Sequence, residues 1–154
     1  MLQRVQSIYL AVVFISIAAL IKITIWTKTS VDGTCSLYLN AYAVIHSSGQ
    51  NTLFPYNSSL LLILFMLVFL VYTILRHDNR KLQLQLTTII HAGLITLMLL
   101  LIFFIHKMDG VYFPNGLSNY KIGIALPFIA LAANLLAQHH IRHDEKLVNN
   151  DNLR

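Results

Sequence analysis

Four long apolar runs alternate with polar stretches along the chain, at about residues 8–26, 59–75, 84–105 and 120–138. Each is close to the roughly 20 residues that a helix needs to cross a hydrocarbon layer. The runs are separated by a polar stretch at 27–58, a short basic turn at 76–83 and a second polar stretch at 106–119, and are followed by a charged tail at 139–154. The first run is too long for the apolar part of a secretory signal. It ends in Lys22 and Trp26 without a small-residue cleavage pattern, so it reads as a span with Lys22 snorkelling and Trp26 at the interface. Within 27–58, Asp32-Gly33 lies between runs rich in β-branched and aromatic residues, which predicts a hairpin. Val111-Tyr112-Phe113 in the next polar stretch predicts a third strand.

The runs differ in texture. The second has almost no polar atom and is expected to show the most surface to lipid. In the third, Thr88, His91, Ala92 and Thr96 form a polar or small stripe at helical spacing, expected to face the interior. In the fourth, Gly123, Pro127, Ala130, Asn134 and Ala137 make one narrow face of small residues with a single amide. Such faces let membrane helices pack closely, and an amide there can bond across the contact.

Composition fits this reading. Hydrophobic residues make up 56% of the 154 and charged residues 11%, about half the charge usual for a soluble domain. The net charge of +5 is no nucleic-acid signal, because the basic residues flank the apolar runs instead of forming a patch. Arg4, Arg76, Arg80, Lys81, Arg142, Lys146 and Arg154 lie on one side, and Lys22, Lys28, Lys107 and Lys121 on the other. That asymmetry places both termini in the cytoplasm. The single cysteine, Cys35, excludes an internal disulfide or a CxxC redox pair, though an outer Cys35 leaves a disulfide to another chain open.

Candidate chemistry is sparse. His139 and His143 are four apart, with Asp144 beside them, a spacing that can hold a metal. The ordinary reading is a helix end at the headgroups, and no metal is expected. His91 is the one titratable group well inside a span, and it is the weak candidate for a haem ligand, proton relay or quinone contact. A bis-histidine haem needs a second ligand at the same depth. His106 is about 22 Å further along the helix, so a partner chain would have to supply it. No cofactor is expected from this chain alone. No Asp or Glu lies inside a span, which argues against proton-coupled transport. No nucleophile elbow or phosphate-binding glycine loop is present, so an enzyme is not expected.

Three segments carry a resemblance: Met1-Leu2-Gln3-Arg4-Val5-Gln6-Ser7-Ile8-Tyr9-Leu10, the turn Arg80-Lys81-Leu82-Gln83-Leu84, and the close Ile141-Arg142-His143-Asp144-Glu145-Lys146-Leu147-Val148. They resemble a family of small four-helix membrane proteins of unknown function found in the Bacteroidota. The resemblance covers essentially the whole chain and implies a Gram-negative inner membrane. It brings no catalytic residues. The layout is also similar to claudin-type proteins, without their paired loop cysteines.

The expectation is an all-α integral membrane protein: a bundle of four transmembrane helices, both ends inside, with a small β-hairpin or three-stranded cap outside. It would be a non-enzymatic accessory or structural subunit of a larger membrane protein complex in the inner membrane. Its contacts would be the seam Gly123, Pro127, Ala130, Asn134 and Ala137, the cap, and the basic edge Arg76, Arg80, Lys81 and Arg142. A homo-oligomer stays open. The alternatives are a cofactor or redox subunit using His91 with a partner chain, or a small oligomeric transporter.

Overall fold

A computed structural model describes residues 2–30, 33–37, 41–46, 51–55, 57–76, 79–111 and 115–151. Helix α1 is Leu2–Leu20, α2 Asn57–Leu75, α3 Arg80–Val111 and α4 Ala125–Asp151. Strands β1 Trp26–Ser30, β2 Gly33–Leu37, β3 Ala41–His46 and β4 Asn51–Pro55 fill the connection from α1 to α2. Strand β5, Leu117–Tyr120, lies between α3 and a single 3-10 turn, Ile122–Ile124, that leads into α4.

The helices pack in a closed ring, with α1 and α3 each touching both α2 and α4. Each helix buries positions spaced alternately by three and four. These are Gln6, Leu10, Val13, Ile17 and Leu20 on α1, and Ile63, Met66, Leu70 and Thr73 on α2. On α3 they are Gln83, Leu86 or Thr87, Ile90, Leu94, Leu97, Leu101 and Phe104, and on α4 Ala130, Asn134, Ala137, Ile141 and Asp144. That spacing keeps one narrow stripe on the inside and suits helices crossing at a shallow angle. Small side chains on α4 let α1 come close. Gly93 on α3 does the same for α2: a Cβ there would lie 2.7 Å from the Met66 sulfur.

The start of α1, the end of α4 and the facing ends of α2 and α3 lie at one end of the ring, because Gln6 reaches Asp144, Arg80 reaches the Asp144 carbonyl and Gln83 reaches the Thr73 carbonyl. The sheet lies at the other end. It is antiparallel throughout, in the order β4-β3-β2-β1-β5. Ser30 pairs with Gly33, which holds φ 150, a conformation that favours glycine. Asp32 lies outside the described residues. The expected hairpin and added third strand correspond to β1, β2 and β5, and β3 and β4 extend the sheet beyond them. The strand from the second polar stretch is Leu117–Tyr120. Val111 ends α3, and Tyr112 and Phe113 lie outside the described residues.

Several expected boundaries move. α1 stops at Leu20, and Lys22 sits in the turn beyond it. Trp26 opens β1 and is fully buried with Ile25, not placed at an interface. The run Ile25 to Thr29 is β-branched or aromatic apart from Lys28, residue types that suit a half-buried strand better than a helical turn. α3 begins earlier than expected, where the Asn79 side-chain oxygen accepts the Leu82 N–H at 3.1 Å. α4 runs through the stretch read as a tail, because Ile141 and Asp144 continue its buried stripe.

The stripe expected to face inward on α3 faces outward. Thr88, Ala92 and Thr96 are exposed and His91 is half-buried. The Ile90–Leu94–Leu97 stripe takes the interior instead. The two threonines need no interior partner: their hydroxyls donate to their own helix, Thr88 to Leu84 O at 2.8 Å and Thr96 to Ala92 O at 3.0 Å. Among the described residues, Arg80–Lys107 and Ile122–Glu145 are long and apolar enough to cross a membrane, with mean hydropathies of 2.5 and 1.6. Val5–Leu20 and Ser59–Leu75 are apolar but shorter.

Candidate functional site

The inner stripes turn polar at the end that holds the termini. α4 brings Asn134, Gln138 and Asp144, α3 brings Arg80, Gln83 and Thr87, α1 brings Gln6 and α2 brings Thr73. Asn134 Nδ2 and Gln138 Nε2 both donate to the Thr87 carbonyl, at 3.0 and 2.9 Å. Gln83 Nε2 donates to Thr73 O at 3.1 Å, and Thr73 Oγ1 donates to Phe69 O at 2.7 Å. Gln6 Nε2 donates to Asp144 Oδ2 at 2.5 Å. Arg80 Nη1 donates to the Asp144 backbone carbonyl at 2.6 Å, leaving the carboxylate without a charged partner among the described residues. Asp144 is 3% exposed, and its Oδ1 has no partner there, nor has Asn134 Oδ1. The cluster therefore ties all four helices together with amides while keeping two buried acceptors in reserve. It contains no nucleophile paired with a base.

The sheet end is built on a charge pair. Alternation along β1 turns Trp26 and Lys28 to the buried face. Lys28 Nζ donates to both Asp109 Oδ1 and Asp109 O, each at 2.8 Å, near the C-terminus of α3 where a cation is favoured. Ser118 of β5 donates to the same Oδ1 at 2.6 Å. The Lys28 side chain is 4% exposed and that of Asp109 48%. Hydrogen bonds from Lys28 and then Ser118 hold the Asp109 carboxyl below the usual carboxylate range. Lys28 pairs in register with Cys35, whose thiol is pushed up by burial to about 11 against the pull of the lysine. Cys35 is fully buried, which removes it as a disulfide partner for another chain. Lys121 N donates to Ile25 O at 3.0 Å, and Gly123 lies so close that a Cβ would meet Thr24 O at 2.6 Å.

The expected site residues are scattered. Gly123, Pro127, Ala130, Asn134 and Ala137 are all buried inside the chain, so this seam is no docking surface for another protein. Its amide reaches across to the Thr87 carbonyl of α3. His91 Nδ1 is buried without a partner among the described residues. The tail set is split: His139 and His143 are exposed, and Asp144 points inward to Gln6. Among the described residues no three His, Cys, Asp or Glu side chains gather to hold a metal ion. His140 stacks on Tyr9, with centroids 5.4 Å apart. Of the basic edge, Arg76, Lys81 and Arg142 are exposed, and Arg80 is spent on α4.

Sequence reasoning missed Gln6, Gln83 and Gln138, the inward turn of Asp144 onto Gln6, and the Lys28–Asp109 pair. The signal for Gln6 and Asp144 was present. Carrying the spacing 130, 134, 137 onward reaches 141 and 144, and carrying 17, 13, 10 back reaches 6. Nothing local marks Lys28 and Asp109 as partners, since they are 81 residues apart.

The model of the family described as domain of unknown function (DUF4293) matches residues 2–152, so the chain belongs to that family. No curated protein matches the chain.

Proposed function

We propose that this family member is a small non-enzymatic protein of a bacterial inner membrane, an accessory or structural subunit that binds a larger membrane protein complex. All four helices span in this reading, both termini are cytoplasmic and the sheet stands outside. The observation that carries it is the apolar belt. Ile15, Leu61, Val68, Leu99 and Phe128, from all four helices, are each more than half exposed, far more apolar surface than a soluble monomer leaves open. The exposed Arg76, Lys81 and Arg142 at the end of the termini fit the cytoplasmic side.

A partner-binding role is supported by a break in that belt. α2 turns outward Leu61, Leu64, Phe65 and Val68, whereas on α3 Ala92 and Thr96 stand between the outward-facing Ile89, Ile95 and Leu99. Small and polar residues are favoured where a second helix packs and gain nothing against lipid tails. The test is mild-detergent extraction at native expression, affinity capture and mass spectrometry, with Ala92→Leu/Thr96→Leu beside the wild type. A stoichiometric larger membrane protein, lost in the double variant, supports the reading. A homo-oligomer with no other protein counts against it.

The unpartnered Nδ1 of His91 favours one second reading, a cofactor subunit completed by a partner chain. A Soret band in the captured complex that disappears with His91→Ala supports the haem form of that reading, and a colourless complex removes it.

A further inference from the structure

We propose that the groove between α3 and α4 at the end of the termini binds an anionic phospholipid, with Arg142 on its phosphate. The proposal rests on the membrane reading above. Leu84, Gln85, Thr88 and Ile89 of α3 and Arg142 of α4 line this groove. Arg142 is exposed and makes no hydrogen bond or ion pair among the described residues, whereas Arg80 nearby is committed to the Asp144 carbonyl. The lining is complementary to a phosphodiester, which only accepts. Arg142 offers a planar set of donors and Gln85 an amide N–H. The Thr88 hydroxyl proton is given to Leu84 O, so the donors left to the groove are those of Arg142 and Gln85.

No carboxylate lines the groove, so the cationic group of a zwitterionic lipid finds no partner there. The walls settle the source of the phosphate. Leu84 and Ile89 lie in the second and third turns of α3, where the polar helix end gives way to the apolar belt. A lipid covers them with its glycerol and first methylenes, and free phosphate covers nothing apolar.

The test reconstitutes the full chain into phosphatidylcholine vesicles and measures, by electron spin resonance, the fraction of spin-labelled phosphatidylglycerol or phosphatidylcholine immobilised on the protein. Wild type should prefer phosphatidylglycerol by about fivefold, the factor that one basic residue near an anionic surface supplies. Arg142→Gln should bring the preference close to one. Arg142→Lys should keep most of it, as should Arg76→Gln, which removes an exposed charge at the same end outside the groove. Three outcomes overturn the lipid site alone: no preference in wild type, an undiminished preference in Arg142→Gln, or displacement of the lipid by millimolar inorganic phosphate. A chain that does not float with phosphatidylcholine vesicles at all overturns the membrane reading, and the lipid site with it.

Discussion

The two ends of this molecule bury opposite charges and treat them differently. At the sheet end a buried cation, Lys28, bonds a carboxylate and a helix-terminal carbonyl, and the carboxylate takes a further bond from Ser118. At the other end a buried anion, Asp144, has one amide on one oxygen and nothing on the other among the described residues. A charge withdrawn from water is held firmly only when its remaining hydrogen-bonding capacity is met. The sheet end meets that condition and locks β1, α3 and β5 together. The other end does not, and its amides tie helices with single, replaceable bonds. The first end is therefore expected to be brittle to substitution and the second tolerant.

The sharpest way to break the comparison is Asp109→Ala. It leaves Lys28 charged and buried with only a carbonyl. Removing one partner of a buried pair costs about 3–5 kcal/mol, and the half-exposed Asp109 reduces this here to about 2–3 kcal/mol. Thermal unfolding in mild detergent measures it, and a loss below that of any single substitution at Asp144 would refute the contrast. The same variant should expose Cys35. Its thiol is buried and raised to about 11, so maleimide should label the wild type slowly at neutral pH and the variant faster, because the open form is more populated. Next in size is Gly123→Ala. The new methyl would stand 2.6 Å from Thr24 O, which is backbone and cannot rotate away. Overpacking of this kind costs about 1–3 kcal/mol.

How much of this was legible in the sequence follows the same division. The helices were readable because each is a long apolar run. The hairpin was readable because Asp32-Gly33 is a local turn signal. The small seam of α4 was readable as a close-packing face, but not as one used up by the chain's own α1. The outward turn of Thr88, Ala92 and Thr96 was misread because polar stripes were taken to seek the interior. Self-bonded threonines do not need it, and Ile90, Leu94 and Leu97 won the inner face. The Lys28–Asp109 lock was illegible, since it depends on β1 and the end of α3 meeting across a sheet assembled from two separate connections.

Acid tests the sheet end without mutation. Asp109 has its pKa lowered on folding from 3.8, so its contribution is present above that value and is lost as pH falls through the lower folded pKa. Melting temperature should therefore drop below about pH 3.8, and Asp109→Asn should flatten that part of the profile. At the other end, Asp144→Asn keeps an oxygen acceptor for Gln6 and removes a buried charge. It should change stability by less than about 1 kcal/mol, whereas Asp144→Ala strands the Gln6 amide and costs about 1–2 kcal/mol.

The smallest effect is the most diagnostic. Asn134 looks indispensable, being a fully buried amide in an apolar helix that bonds to another helix. Yet Gln138 donates to the same Thr87 carbonyl, and the Asn134 oxygen is itself unsatisfied among the described residues. Replacing Asn134 by Ala, which suits the small seam of Ala130 and Ala137, removes one bond from an acceptor that keeps another, and removes a stranded acceptor as well. The first loss is about 0.6 kcal/mol, the average for a hydrogen bond between membrane helices, and relief of the unsatisfied oxygen offsets it. Asn134→Ala should melt within a degree or two of wild type, and Gln138→Leu likewise. The double variant leaves Thr87 O with neither side-chain donor and should fall further than the two singles combined. Additive singles would mean that the amides act independently, and the tolerance of this end would then need another cause than shared bonding.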